Sequence, residues 1–76
     1  MELDIFIQKF ATQFEETESA EIYPEVKFKE LTEWSSLLAM SIIAMVDEEY
    51  HVVITGADIR NNSTIEDLYK IVRSRL

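Results

Sequence analysis

The chain has no cysteine, and only one glycine, one proline and one histidine in its 76 residues. Without thiols, neither a disulfide nor a thiolate metal site can hold it together. A lone imidazole makes a histidine-rich metal cluster improbable and gives a nucleophilic serine no marked base. One glycine excludes a glycine-rich phosphate loop, and with one proline it argues against a turn-rich β protein and for helices. The amino terminus, Met1-Glu2-Leu3-Asp4-Ile5-Phe6, lacks the basic segment and long apolar stretch of a secretory leader. No apolar run reaches the roughly 20 residues needed to cross a bilayer, so no membrane span is expected. The expectation is a cytoplasmic monomer made of a single domain, residues 1–76. Acidic residues are plentiful, but none lies in an apolar setting that would split two pKa values for acid–base work, so the domain is not expected to be an enzyme.

Basic charge is the other scarcity. Fifteen acidic residues against seven basic ones leave a net charge of -8, which disfavours binding to nucleic acid through its phosphates. Between Glu30 and Ile59 there is no Lys or Arg, while Glu30, Glu33, Asp47, Glu48, Glu49 and Asp58 all fall there. A partner of this region should therefore present basic side chains.

What is abundant is helical pattern. Leu3, Phe6, Ile7, Phe10, Ala11 and Phe14 recur at three- and four-residue spacing, which predicts an amphipathic first helix ending near Glu16 to Ser19. Residues Ala20 to Glu33 hold the single proline and scattered apolar positions, and read as a loop that lays side chains back on the core. Nine of the ten residues from Leu37 to Val46 are apolar, predicting a central helix. Ser35 is placed to cap it by accepting from the amide of Leu37 or Leu38. Ser36 then stands in the first turn, where unpaired amides and the positive end of the helix dipole favour an attached anion. Beyond His51, a β-branched stretch leads to Gly56, read as a positive-φ turn, and to a single helical turn over Ala57 to Asn61. Ser63-Thr64-Ile65-Glu66 and Thr64 to Asp67 are alternative capping boxes for a last helix.

In this order, a long helix, a long loop, Ser36-Leu37 opening a central helix that closes in Asp47-Glu48-Glu49-Tyr50, a short helix and a capped last helix, the whole chain resembles an acyl carrier protein. Ala44-Met45-Val46, Ile54 and Ser63 to Leu68 also stand at family positions. The resemblance implies an all-α, acyl-carrier-like bundle of three main helices plus one short one. It implies 4′-phosphopantetheine esterified to Ser36 by a phosphopantetheinyl transferase, with acyl thioesters carried on its thiol for fatty-acid, polyketide-like or lipid-modifying synthesis. It further implies acyl-transferring or synthase enzymes that dock basic patches on Leu37, Met40, Asp47, Glu48 and Glu49. The acyl chain would be sheltered by Val46, Ile54, Ile59 and Leu68.

Three departures accompany the likeness. Ser35 stands where the family has aspartate, and so offers no carboxylate to the transferase's metal; Glu33 is a nearby carboxylate. Leu38 and Ser41 replace frequent acids, turning Leu37, Leu38 and Met40 toward an apolar partner surface. Asn62 occupies a site often apolar, which would open or shorten an acyl cavity. The competing readings are a peptidyl or aminoacyl carrier, and an unmodified carrier-like module that binds a basic partner.

Overall fold

In a computed structural model describing residues 2–76, the repeat beginning at Leu3 forms α1, Glu2–Ala11, with Phe6 and Phe10 fully buried. It stops short of the predicted end. The Thr12 hydroxyl donates to the Lys9 carbonyl at 2.7 Å, and Phe14 folds back beside Phe10 with ring centroids 5.7 Å apart. The next three amides, of Glu15, Glu16 and Thr17, donate to the Glu33 carboxylate and not to carbonyls four residues back. A charged acceptor reached across the fold outcompetes a helix end already weakened by acids at its negative pole.

The long loop does lay its apolar side chains inward: Ile22, Val26 and Phe28 are buried. Short 3-10 turns cover Ser19–Glu21 and Phe28–Glu30. The carbonyls of Val26 and Pro24 accept from the amides of Ile65 and Glu66, at 3.2 and 3.0 Å. Those amides open the last helix and have no acceptor within it, so the loop caps a distant element.

The central helix, α2, spans Ser36–Tyr50. Leu38, Ile42, Met45 and Val46 are buried, whereas Leu37 and Met40 are 75% and 66% exposed. The helix is therefore one-sided in its packing, although its sequence is apolar nearly all round. It closes at His51, which adopts φ 56° and ψ 37° and donates its amide to the Asp47 carbonyl. The left-handed turn expected at Gly56 is thus made by His51, and Gly56 has ordinary negative φ. A left-handed residue with a Cβ costs about 1–2 kcal/mol, partly offset by the unfolded-state freedom that glycine would add. His51→Gly should raise stability by about 0.5–1 kcal/mol, seen as a melting temperature about 3–6 °C higher.

Helix α3, Gly56–Asn61, starts at Thr55, whose side chain accepts from the Asp58 amide while Asp58 accepts from the Thr55 amide. This is the same reciprocal box that marked the last helix, at a spacing equally present in the sequence. Helix α4, Ile65–Ser74, uses the later of its two possible frames, with Thr64 as cap and Asp67 as partner. Helix α1 packs on α2 and α4, and α3 packs on α4. Among the described residues the architecture is all-helical, three main helices and a short one, as expected. Phe6, Phe10, Phe28, Ile42, Val46, Ile54, Ile65, Leu68 and Val72 form its sealed centre. No helix is long and apolar enough to cross a membrane among the described residues.

Candidate functional site

The approach to α2 is held from both sides before the helix begins. Trp34 meets Phe28 edge-on at 5.0 Å between centroids and Phe14 at 6.5 Å. One residue earlier, Glu33 accepts from the amides of Glu15, Glu16 and Thr17 at 2.7, 3.0 and 2.8 Å, and from the Thr17 hydroxyl at 2.8 Å. These donors, led by the Glu15 amide, hold its carboxyl at about 2, well below the usual range. Its oxygens are already engaged by the chain's own backbone. Glu33 therefore does not stand free as a substitute carboxylate beside the serines.

Ser35 is extended, and its Oγ accepts from the Leu38 amide at 3.1 Å. Ser36 is the first helical residue and is exposed. Its hydroxyl sits at the positive pole of a 15-residue helix whose first turn has no acid to compete for that pole. The region is accessible, water-facing and electrostatically suited to a phosphodiester.

Of the α2 residues expected to meet partners, Leu37, Met40, Asp47, Glu48 and Glu49 are all exposed. Leu38 departs from expectation: at 7% exposure it belongs to the core. It lies four and seven residues before Ile42 and Met45, on the inward stripe. Glu49 is engaged by Lys9 of α1 at 2.7 Å, with the ammonium also 5.1 Å from the centre of the Tyr50 ring. The Lys9 pKa rises, chiefly through the hydrogen bond to Glu49. Asp58, farther along, is clamped by Arg75 through two bonds of 2.8 and 3.0 Å, and this guanidinium is the main cause of its fall to about 2. Asp47 and Glu48 make no ion pair among the described residues. The broad acidic window in the sequence is thereby narrowed on α2 to an adjacent pair, about two turns beyond Met40. Composition alone did not reveal this, because the cations that engage Glu49 and Asp58 lie at distant positions, 9 and 75.

Val46, Ile54, Ile59 and Leu68 do come together, each no more than 4% exposed. They are packed as core. Asn62 follows α3 and donates its side-chain amide to the Asp58 carbonyl at 2.7 Å, so it closes a helix end. No group of histidine, cysteine or carboxylate side chains suited to a metal occurs among the described residues.

No curated protein and no solved structure matches the chain. The family model described as "Phosphopantetheine attachment site" matches residues 6–72. That span runs from the middle of α1 into the last turns of α4, and the chain accordingly belongs to this phosphopantetheine-binding, acyl-carrier-protein-like family.

Proposed function

We propose that Ser36 is the attachment point of the prosthetic group and that the chain carries acyl groups on it. The family is one of non-catalytic carriers holding covalent 4′-phosphopantetheine. The observation that carries the reading is the exposed Ser36 hydroxyl at the positive pole of α2, with Ser35 beside it already committed to capping. When attached, the group supplies a mobile thiol to a chain that has none of its own. The chain's part is to present the serine at a rigid helix start, to favour the phosphate there, and to dock enzymes that act on the thioester.

Docking falls to the exposed face of α2. Leu37 and Met40 offer apolar surface near the serine, and Asp47 and Glu48 offer charge farther along. Glu49 contributes only when a partner's cation displaces or shares Lys9. The partners implied are a phosphopantetheinyl transferase and acyl-transferring or synthase enzymes with basic patches. Val46, Ile54, Ile59 and Leu68 are the wall a long acyl chain would part to enter the core. The acidic chain favours acyl over aminoacyl cargo. An unmodified module binding a basic partner is the second reading, favoured by a hydroxyl in place of a carboxylate at Ser35.

Intact mass after co-expression with a broad-specificity transferase decides between them. The expected result is one phosphopantetheine increment, lost completely in Ser36→Ala and kept in Ser35→Ala. An increment that survives Ser36→Ala, or none with any transferase tried, would overturn the assignment. Ser35→Asp tests the departure directly. Aspartate caps as well as serine does, and its carboxylate adds a ligand for the transferase's divalent cation. Initial loading rates should rise on the order of tenfold, the effect of about 1.4 kcal/mol on a barrier.

A further inference from the structure

Two clefts on the α1 side of α2 share a wall. One, of about 240 Å³, is bordered by Ser35, Leu37, Gln13 and Ser41. The other, of about 290 Å³, is bordered by Gln13, Ser41, Ala44, Glu48 and Lys9. Gln13 and Ser41 border both, so the two clefts adjoin end to end and trace one grooved path along α2, with these two side chains at its midpoint. It opens at the two neighbours of Ser36 and runs to the last turns of the helix. From Leu37 to Glu48 the rise is about 17 Å. A pantetheine arm, with about as many main-chain bonds as five residues of extended peptide, spans roughly 16–18 Å.

The order of groups along the groove also suits that arm. Its branched dimethyl carbon lies next to the phosphate, and Leu37 lies next to Ser36. Its two amides follow, and each brings an N–H that needs an acceptor. Gln13 spends its Nε2 on the Lys9 carbonyl and the Thr12 hydroxyl, at 3.3 and 3.2 Å. Ser41 spends its proton on the Leu37 carbonyl at 3.3 Å. Each therefore keeps an oxygen able to accept. The residues expected to shelter an acyl chain offer no such open path: Val46, Ile54 and Ile59 are each under 5% exposed and packed in the core.

Building on the assignment of Ser36, we infer that in the loaded protein without cargo the arm lies in the groove between the end of α1 and α2, with Gln13 and Ser41 accepting from its two amides. The thiol then rests near Glu48 and Lys9. The chain has no cysteine, so a maleimide nitroxide placed on the loaded protein marks the arm's end alone. In amide spectra of that protein the signals of Thr12, Gln13, Ser41, Ala44 and Glu48 should lose most of their intensity, and those of Ala57 to Arg60 should keep theirs. Ser41→Leu narrows the groove at its midpoint and should restore the Glu48 signal at least several-fold. Without the label, the same amides should shift on loading. Broadening strongest over Gly56 to Asn61, or spread evenly over the surface, would overturn the groove while leaving Ser36 assigned. A protein that shows no mass increment would instead overturn the assignment of Ser36 and this inference with it.

Discussion

Phe28→Ala should bring the domain close to unfolding. Phe28 is a loop residue with no exposure at all, wedged between Phe10 and Trp34 at 5.6 and 5.0 Å, edge-on to both. Truncating a buried phenylalanine costs about 3–5 kcal/mol, from lost transfer energy and the cavity left behind. A 76-residue domain holds about 4–11 kcal/mol at the usual 0.05–0.15 kcal/mol per residue, so the loss is comparable to the whole. Urea unfolding followed by the fluorescence of Trp34, the single tryptophan, measures it directly. The midpoint should fall sharply, and Phe28→Leu, which keeps most of the apolar volume, should fall less. Because Trp34 precedes the cap of α2, the alanine variant should also load more slowly while still folded. A midpoint within the range of ordinary surface changes would show that the loop is not part of the core.

Glu33→Gln should release the segment after α1. The carboxylate accepts from three backbone amides and one hydroxyl; an amide side chain has one acceptor oxygen and brings two donors of its own. Hydrogen exchange of the Glu15, Glu16 and Thr17 amides should quicken on the order of tenfold, with the centre of α2 little changed. The pH dependence follows from the same bonds. The folded carboxyl titrates at about 2 and the ordinary value is 4.5, so the native state binds this proton less readily than the unfolded chain. Its stabilisation is complete above about 4.5, declines as pH falls, and is spent below about 2. Asp58, also held at about 2 by Arg75, acts in a similar window and with the same sign. The difference between wild type and Glu33→Gln isolates Glu33: the stability gap should close as pH drops from 5 toward 2. A gap constant across that range would refute the carboxylate's role.

Much of the fold was legible because local patterns and tertiary needs coincide. The stripe of Leu3, Phe6 and Phe10, the cap at Ser35 and the box at Thr64 each appear in the structure. Three of the errors share one cause, contacts between groups far apart in the chain. Helix α1 was read too long because its end is decided by Glu33, 16 to 18 residues away. The left-handed turn was assigned to the residue best able to make it, Gly56, when closure of α2 required it at His51. Leu38 was placed outside among apolar neighbours that a composition count cannot rank. The box at Thr55 was present at the right spacing and was passed over.

By itself the sequence determined the helical class, the order of the helices, and the serine at the head of the longest one, since these follow from periodicity and capping within a few residues of chain. Only the tertiary structure decided which side of α2 is buried, which acids are consumed by Lys9, Arg75 and the backbone, and where open space lies beside Ser36. Those outcomes depend on groups far apart in the chain meeting at 3 Å, and no local pattern encodes such a meeting.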